Sequence, residues 1–561
     1  MNRSLTTIAI LILHFSVGYT QSNPAIPKGD ILGPFVWNSK IYPGTVRNYW
    51  LYLPKQYDAT KPACTMVVQD GLSRANGWRL PSVLDSLIAI KDIPVVIGIF
   101  IDHGTVSSTG KENYPRFNRS FEYDALGDRY SKFLLDEILP EVSRSYNLST
   151  DPNDRSIAGA SSGAICAFNV AWERPNEFRR VLSTIGTYVG LRGGDEFATL
   201  VRKTEAKPIR VFLQDGTKDL NIYGGDWWMA NQNMLSALTY AGYEVNHAWG
   251  EGGGHDSKHS ITILADALKW LWKDYPAPVQ PHKGLNQRLN LMAEGEAWKE
   301  INTNSIKAGK LAVNDKGEVF FADIQSLYKI DNLGNATLFK KLNGEVAGLS
   351  FHSDGNLYVG DSRLQKIIAI DAKGVAHDVV SHVTADFLTA SSQGLYFTDN
   401  SKDRIGFYSF EKKNIHYIAV PYHPTGLAIS AEQTFINVGI ANHVFGYSLK
   451  IMEDGNLDYG QDYVHYHIPY GVTAAGAEGM TVDEENILYS ATSMGIQASD
   501  QLGRVNFIFS SPGENAIDVK LGGSDLNTLY ANFNGKLFTR KINAKGVLSW
   551  LPSVKPPKPG M

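Results

Sequence analysis

The chain has 561 residues, of which 43% are hydrophobic and 20% charged, and its 52 glycines and 24 prolines are typical of a loop-rich globular protein. This composition excludes a disordered or fibrous chain, and the length predicts at least two domains, since one hydrophobic core rarely organises more than about 250 residues. The net charge of −4 includes no long run of one sign, which argues against nucleic acid or an anionic membrane surface as a partner.

The first residues have the pattern of a secretory signal peptide, which we assign to residues 1–21. Arg3 precedes an apolar run at 8–15, and the small residues Ser16 and Gly18 follow. The run is shorter than the roughly 20 residues that cross a membrane, and no later segment reaches that length. We therefore expect an exported protein, periplasmic or secreted, with no membrane insertion.

Residues 22–275 alternate short apolar runs with segments of helical periodicity, a pattern typical of a doubly wound, mostly parallel sheet. The predicted strands are 65–68, 95–101, 155–158 and 209–213, and the predicted helices are 130–143, 162–173, 226–241 and 260–273. Cys64 and Cys166 both lie among apolar residues, so we expect two buried thiols rather than a disulfide.

A proline-rich stretch at 276–288 breaks this pattern and is the predicted linker. From 289 to 561 short strands alternate with turn residues, and one unit recurs as GEVFFADI from 317, GNLYVGDS from 355, GLYFTDN from 394, QTFINVG from 433, NILYSAT from 486 and NTLYANF from 527. The spacing of mostly about 40 residues is that of a propeller blade, so the sequence predicts an all-β six-bladed propeller. The longer fourth interval predicts an insertion around 450–469.

The segment RSIAGASSGAICAFNVAW contains the candidate nucleophile. Gly159, Ser161 and Gly163 form a GxSxG pattern between a predicted strand and a predicted helix. A serine can be presented on a strained strand-to-helix turn only if the residues two before and two after it have no side chain. The helix N-terminus supplies N–H groups for a developing oxyanion. Ser162 is offset from the glycine frame, so we assign it only a backbone N–H.

A serine hydroxyl needs a general base, and the base needs a group that fixes its tautomer. Asp219 follows a predicted strand and is the candidate acid, with Asp215 at the strand end as the alternative. His255 follows a glycine-rich loop and is the candidate base. The alternatives are His259, expected as a surface or capping residue, and His247, expected as a structural residue. The chain order Ser, Asp, His is that of an α/β-hydrolase.

The oxyanion hole of such a fold takes a second N–H from the loop after an early strand. The segment VVQDGLSRANGW has this place in the chain. Gly71 or Leu72 is the candidate donor beside the N–H of Ser162, and an ordinary turn after the strand is the alternative interpretation.

Several of these segments resemble the putative esterase family of bacteria, which includes enterochelin esterases and carbohydrate esterases of the feruloyl and acetylxylan type. They are VVQDG, RSFEYDALGDRYSKFLLDEILPEV, AGASSGA and the GGGH loop, and the resemblance spans residues 30–275. It implies Ser161, Asp219 and His255 as a catalytic triad. It also implies that Arg119 and Glu122 form an ion pair that shapes the wall of the site.

Tryptophans are candidates for an aromatic subsite that would bind a sugar or a catechol. Trp78 and Trp227, together with Arg119, are the predicted substrate-binding residues, and Trp228 is a further candidate. Core packing is the alternative interpretation for at least one of the tryptophans.

The second half resembles the gluconolactonase-like propellers through LGGSDLNTLYANF, HPTGLAIS, AEGMTVDEENILYSA and ADFLTASSQGLYFTD. That resemblance implies one divalent metal at the propeller centre, held by a glutamate, two asparagines and an aspartate. Here Thr425 and Ala385 replace the asparagines, Glu478 replaces the aspartate, and no glutamate matches near Ala308 and Gly309. Alanine supplies no ligand atom, so we predict no metal and no cofactor.

These residues predict a serine esterase, a carboxylic ester hydrolase that acts through an acyl-enzyme on acyl or feruloyl esters of carbohydrates or on siderophore-type esters. Two alternatives stay open, a metal-dependent lactonase in the propeller and a non-catalytic binding protein. The expected partner is a small-molecule or carbohydrate ester, and no nucleic acid.

Overall fold

A single ten-stranded sheet forms the centre of the N-terminal domain in the computed structural model, which describes residues 26–110, 112–286, 290–331, 334–513 and 515–559. The strands are β1 Asp30–Asn38, β2 Val46–Leu53, β3 Cys64–Gln69, β4 Val96–Ile101, β5 Thr105–Val106, β6 Arg116–Phe117, β7 Arg155–Ala160, β8 Arg180–Thr184, β9 Arg210–Gly216 and β12 Glu244–Gly250, while β10 Asn221–Ile222 and β11 Gly225–Asp226 form a separate hairpin. The strand order is β12-β9-β8-β7-β3-β4-β2-β5-β6, with β1 on β2.

Helices connect these strands and cover the sheet. They are α1 Gly71–Gly77, α2 Leu80–Ala89, α3 Arg119–Tyr123, α4 Arg129–Phe133, α5 Leu139–Ser143, α6 Ser162–Glu173, α7 Phe197–Lys203, α8 Trp227–Ala241 and α9 Lys258–Leu271. The predicted helix at 130–143 is interrupted by a π-helical turn, Leu134–Ile138, between α4 and α5. The other three predicted helices correspond to α6, α8 and α9.

The parallel part of the sheet runs from β12 to β4. Its strands β3, β4, β7 and β9 are buried at every residue, because helices lie on both faces, and this is why they read as apolar runs. The predicted doubly wound, mostly parallel sheet is confirmed. The antiparallel pair β1 and β2 was not predicted, since β1 lies at the edge and is largely exposed.

Six four-stranded sheets form the propeller. Its strands are β13 Lys299–Glu300, β14 Leu311–Val313, β15 Val319–Ala322, β16 Ser326–Ile330, β17 Ala336–Lys341, β18 Val346–Phe351, β19 Leu357–Asp361, β20 Lys366–Ile370, β21 Ala376–Ser381, β22 Leu388–Ala390, β23 Gly394–Asp399, β24 Arg404–Ser409, β25 Ile415–Ala419, β26 Gly426–Ile429, β27 Phe435–Gly439, β28 Phe445–Ile451, β29 Leu457–His465, β30 Met480–Val482, β31 Leu488–Thr492, β32 Gly495–Ser499, β33 Val505–Phe509, β34 Ala516–Gly522, β35 Thr528–Phe533 and β36 Lys536–Lys541.

Each predicted repeat contains the second strand of one blade, namely β15, β19, β23, β27, β31 and β35. The six-bladed propeller is therefore confirmed. The ring closes because β13, from the start of the propeller, pairs with β36 from its end. In the fourth blade β29 has nine residues and two register shifts against β28, so the extra residues predicted around 450–469 lengthen the outer edge of this blade.

The two domains contact each other along the segment that follows α7. Lys203 Nζ lies 2.9 Å from His467 Nε2 in the propeller. Glu205 accepts two hydrogen bonds from Arg540, at 2.9 and 3.1 Å, and the Arg540 side chain is only 4% exposed. Arg540 lies in blade six and His467 lies between blades four and five, while Thr204 pairs with Ile508 of blade five, so this part of the propeller contacts the N-terminal domain.

The segment predicted as a linker packs against the N-terminal domain over its described part. Val279 is buried, and its N–H donates to Asn153 Oδ1 at 3.1 Å. Residues 287 and 288 of this segment, and the predicted signal peptide at 1–21, lie outside the described ranges.

Cys64 and Cys166 are free, buried thiols, as predicted. Within the described ranges, no helix is both long enough and apolar enough to pass through a lipid bilayer.

Candidate active site

Ser161 occupies a strained turn between β7 and α6. Its backbone has φ 58° and ψ −124°, a conformation that costs a residue with a side chain about 1–3 kcal/mol. A Cβ on Gly159 would lie 2.0 Å from the carbonyl oxygen of Gly163, and a Cβ on Gly163 would lie 3.0 Å from Gln69 Cβ. A side chain at either position would therefore come too close to neighbouring atoms, and the clash would be more severe at Gly159.

The helix behind Ser161 provides N–H groups without helical partners. Ser162 is the first residue of α6, and the first N–H groups of a helix have no acceptor within it. Every residue from Ser162 to Trp172 is buried, so water screens the dipole of this helix weakly. The N–H of Ser162 is therefore available to a negatively charged oxygen formed at Ser161.

His255 contacts Ser161 on one side and Asp219 on the other. His255 Nε2 lies 2.9 Å from Ser161 Oγ, and His255 Nδ1 lies 2.6 Å from Asp219 Oδ1. The Asp219 side chain is fully buried, and the imidazole is 21% exposed. A histidine that donates from Nδ1 to a carboxylate directs the lone pair of Nε2 at the hydroxyl, as a general base must.

The order of strands explains why these residues meet. Ser161 follows β7, Asp219 follows β9 and His255 follows β12, and these strands lie parallel in the series β7-β8-β9-β12. The carboxyl ends of parallel strands lie at one edge of a sheet, where open α/β sheets form their sites.

The alternative residues have other partners. Asp215 lies at the end of β9, and its Oδ1 accepts a backbone N–H. His259 Nδ1 lies 3.2 Å from Gln214 Nε2, and His247 is exposed on β12 with its ring 4.8 Å from that of Trp249. Within the described residues, Ser161 contacts His255 and neither of the other two histidines.

The two carboxyl groups near His255 differ in ionisation. Burial opposes ionisation of Asp219, but hydrogen bonds from His255 and Asp215 outweigh it and lower the pKa of Asp219. Burial, together with the neighbouring Asp219, raises the pKa of Asp215 to about 9. These shifts favour the charged form of Asp219 and oppose ionisation of Asp215.

Thr187, in the loop after β8, is a further residue in contact with Ser161. Its Oγ1 lies 3.2 Å from Ser161 Oγ and accepts a hydrogen bond from Trp227 Nε1 at 3.2 Å. Because the threonine hydroxyl accepts from the indole, its own hydrogen can point to Ser161 Oγ. The proton of Ser161 is then free to face His255.

The turn from β3 into α1 contains the candidate second oxyanion donor. Asp70 and Gly71 have positive φ values of 63° and 60°. A Cβ on Gly71 would lie 2.1 Å from Asp102 Oδ1 and 2.9 Å from the Trp50 ring, so only glycine fits. Gly71 and Leu72 begin α1, where backbone N–H groups again have no helical acceptor.

Arg119 connects this turn to the strand that leads to Ser161. It donates to both carboxylate oxygens of Asp70, from Nε at 2.7 Å and from Nη2 at 2.8 Å. Nη2 also donates to the carbonyl oxygen of Ala160 at 3.2 Å. The N–H of Asp70 donates to Tyr123 Oη at 3.3 Å, so α3 holds the turn through two of its residues.

The predicted ion pair between Arg119 and Glu122 is wrong. Glu122 Oε2 instead lies 2.6 Å from Arg47 Nη1, and both side chains are fully buried. A pair of residues three apart on a helix gains only about 0.2–0.5 kcal/mol, whereas an unpaired buried arginine is very costly. Arg119 therefore pairs with Asp70, and Glu122 pairs with Arg47.

The prediction of Trp78 as a substrate-binding residue is also wrong. Trp78 is 0% exposed and packs in the core beneath α1 and α2, because the chain turns inward between these helices. Trp227 is 3% exposed, with its ring centroid 6.0 Å from that of His255, and forms the wall behind the imidazole. Trp228 packs edge-on against Trp249.

The centre of the propeller does not fit a divalent metal. Glu478 Oε2 lies 3.2 Å from Lys310 Nζ, and this ammonium is 3.6 Å from the centre of the Phe387 ring. Thr425 donates its hydroxyl to a backbone carbonyl, and Ala385 is fully buried. No group of three or more His, Cys, Asp or Glu residues suited to a metal is found in the described ranges. The protein's own ammonium neutralises Glu478.

Sequence reasoning missed Thr187 and Asp70. Asp70 lies within VVQDG, but the role predicted for this segment involves only the N–H groups of the two residues that follow Asp70. Thr187 follows β8, which was not among the predicted strands. Had VLST at 181–184 been read as a strand, residues just after it would have been expected at the same sheet edge.

Residues 42–274 match a family model described as putative esterase. The chain is 28% identical over 242 residues to the iron(III) enterobactin esterase of Dickeya dadantii (strain 3937), a match that covers 40% of this chain and 51% of that protein. The chain thus spans about half the length of this relative. It is 23% identical over 241 residues to the uncharacterized protein YbbA of Bacillus subtilis (strain 168), covering 40% of this chain and 92% of that protein.

Solved structures also resemble parts of the chain. A gluconolactonase from Xanthomonas campestris aligns with a TM-score of 0.41 at 15% identity, covering 46% of this chain and 93% of that one. The enterobactin esterase of Shigella flexneri aligns with a TM-score of 0.35 at 22% identity, covering 44% of this chain and 61% of that one.

Proposed function

We propose that the N-terminal domain, whose residues 42–274 match the putative esterase family, is a serine carboxylic ester hydrolase that works through an acyl-enzyme. One observation carries the proposal: Ser161 Oγ, His255 and Asp219 form a continuous chain of hydrogen bonds of 2.9 and 2.6 Å. The strained backbone of Ser161 supports it, since such strain persists where the surrounding structure enforces it and is common at active sites.

In the proposed reaction His255 Nε2 takes the proton of Ser161 while Oγ bonds to the ester carbonyl carbon. The carbonyl oxygen becomes an oxyanion, which accepts hydrogen bonds from the N–H of Ser162 and from that of Gly71 or Leu72. Asp219 stabilises the imidazolium. His255 then gives the proton to the leaving oxygen, whose bond to the acyl carbon breaks. Water repeats these steps on the acyl-enzyme and releases the acid.

The proposed substrates are acyl or feruloyl esters of carbohydrates, or siderophore-type esters. Two exposed aromatic side chains lie close in the chain to site residues: Tyr223, 94% exposed, follows Asp219, and Phe117, 61% exposed, precedes Arg119. Exposed aromatic rings offer flat apolar faces to an aromatic acyl group or a sugar ring. Each proposed substrate class contains an aromatic group or a sugar ring.

Hydrolysis of a short-chain aryl ester tests the proposal. The wild type should release the phenol and should be labelled covalently by a fluorophosphonate, whereas Ser161→Ala should do neither while it keeps the wild-type melting temperature. Ser162→Ala is the matched control, because it retains the backbone N–H. Equal hydrolysis by wild type and Ser161→Ala would refute the assignment. A panel of feruloylated sugars, acetylated sugars and a catecholate trilactone would then rank the substrates.

We propose residues 22–275 as the esterase domain, 276–288 as the linker and 289–561 as the propeller, in a protein exported through the signal peptide at 1–21. Because Lys310 pairs with Glu478, we do not propose a metal-dependent lactonase in the propeller. N-terminal sequencing of the purified protein tests the export signal.

A further inference from the structure

Two buried carboxyl groups face each other behind His255. Asp215 is 0% exposed, and the Asp219 side chain is also 0% exposed. The chain turns tightly between them, with the N–H of Asp219 donating to the carbonyl of Gly216 at 3.1 Å. This turn brings the two carboxyl groups within hydrogen-bonding reach of each other.

One oxygen of each carboxyl group has donors and the other has none. Asp219 Oδ1 accepts from His255 Nδ1 and from the N–H of Leu220, both at 2.6 Å. Asp215 Oδ1 accepts from the N–H of Gly216 at 2.8 Å. The Oδ2 atoms of both residues are buried, and no donor among the described residues reaches either one.

The neighbouring side chain of Asn231 does not supply the missing donor. Both hydrogens of its Nδ2 are directed at backbone carbonyls, those of Gly186 at 2.9 Å and Trp227 at 3.0 Å. Its Oδ1 is a third buried acceptor without a donor. Unsatisfied buried acceptors are costly, and a carboxyl group becomes a donor only when it is protonated.

We propose that Asp215 is a protonated positioning residue whose O–H donates to Oδ2 of Asp219 and so fixes the carboxylate that orients His255. The inference rests on the proposed serine esterase. One proton shared between the two carboxyl groups converts a pair of facing acceptors into a hydrogen bond. Asp215 then extends the hydrogen-bonded chain of Ser161, His255 and Asp219 by one residue outside the triad.

The electrostatic surroundings agree with this protonation state. Among the described residues, Asp219 is the ionisable group whose charge acts on Asp215, and His255 lies on the other side of Asp219. The residue paired with Asp215 on β12 is Trp249, and the contact from α8 is Asn231; neither carries a charge. Burial and the like charge of Asp219 raise the pKa of Asp215, so the proton is retained at neutral pH.

Replacing Asp215 tests the inference kinetically. Asp215→Asn keeps a donor at the same place, so its kcat for an aryl ester at pH 7 should stay within about threefold of wild type. Asp215→Ala removes the donor, and its kcat should fall about tenfold to a hundredfold at unchanged KM, the usual effect of losing a hydrogen bond to a charged group. In the wild type kcat should decline as the pH rises past about 9, and this decline should be absent from Asp215→Asn.

These outcomes separate positioning from a merely structural role. Equal kcat values for Asp215→Ala and wild type, or the same alkaline decline in Asp215→Asn, would overturn the inference. A structural role would lower the melting temperature of Asp215→Ala and leave the pH profile of its kcat unchanged.

A spectroscopic test does not need activity. The wild type at pH 7 should show the infrared carbonyl band of a protonated carboxyl group, which Asp215→Asn should lack and which Ser161→Ala should retain. If no substrate is hydrolysed but the band behaves in this way, the proposed function fails and the protonation of Asp215 stands. If hydrolysis requires Ser161 and the band is absent, the proposed function stands and the protonation of Asp215 is refuted.

Discussion

Arg119 donates two parallel hydrogen bonds to Asp70, with Nε 2.7 Å from Oδ1 and Nη2 2.8 Å from Oδ2. The same guanidinium donates a hydrogen bond to the carbonyl oxygen of Ala160, the residue before Ser161. One side chain therefore sets the distance between the two backbone segments that supply the candidate oxyanion donors.

Arg119→Lys should lower kcat by about tenfold or more, because an ammonium cannot bond to both oxygens of Asp70 and to Ala160 in this geometry. The expected change is in kcat rather than KM, since the donors act on the oxyanion. Steady-state kinetics with an aryl ester would measure it. Arg144→Lys, at an exposed helix end, is the control; comparable kcat values for the two variants would contradict the role of Arg119.

Thr187→Val should lower kcat by about tenfold, because the isosteric side chain cannot donate a hydrogen bond to Ser161 Oγ. Trp227 Nε1 would also lose its acceptor, so a modest fall in melting temperature should accompany the change. Fluorophosphonate labelling rates would report the reactivity of Ser161 directly. The exposed Thr262→Val is the control, and a Thr187→Val variant that is labelled at the wild-type rate would exclude this hydrogen bond.

Chelators should leave the protein unaffected. EDTA should change neither aryl ester hydrolysis nor the melting temperature, since an ammonium lies beside Glu478. Lys310→Met should lower the melting temperature of the propeller by about 2–4 °C, through loss of an ion pair and a cation–π contact worth about 1 kcal/mol together. The exposed Lys316→Met is the control. A calcium-induced rise in the wild-type melting temperature would contradict this account of the propeller centre.

Acidification should weaken the contact between the domains. Burial and the nearby Lys203 lower the pKa of His467 to about 4, so the folded protein binds this proton less readily than the unfolded chain. The stability contribution is therefore complete above about pH 6.5 and is lost as the pH falls toward 4, by about 1–2 kcal/mol after allowance for solvent screening. Urea unfolding at several pH values would measure it.

In His467→Gln this part of the pH dependence should disappear, because glutamine does not titrate. His377→Gln, on an exposed strand, should keep the wild-type dependence. Identical slopes for His467→Gln and wild type between pH 4 and 6.5 would show that another group is responsible.

The sequence predicted those features that depend on local pattern. The glycine frame of Ser161, the bounds of α6 and the second strand of each blade each follow from a few adjacent residues. Asp219 and His255 could be selected because they follow apolar strands. Asp215 was the alternative candidate for the triad acid. Its position beside Asp219 depends on a turn that the pattern DGTKD does not specify.

Contacts that depend on strand order were not predictable. Thr187 meets Ser161 because β8 lies beside β7 in the sheet. Arg119 meets Asp70 because α3, which packs against α6, places the guanidinium beside the turn after β3. The incorrect pairing of Arg119 with Glu122 came from their proximity in the chain. The burial of Trp78 was not predictable, because the sequence does not show that this side chain packs in the core between α1 and α2.

Residues 187–205 connect the candidate active site to the propeller. This segment begins at Thr187, beside Ser161, and continues through α7. It ends at Glu205, which is hydrogen-bonded to Arg540 of the last blade. A movement of blade six relative to the sheet would therefore displace a segment whose other end, Thr187, is hydrogen-bonded to the hydroxyl of Ser161. A chain shortened to the N-terminal domain would lose the contact with Arg540, and the loop around Thr187 would have to keep its shape by local packing alone.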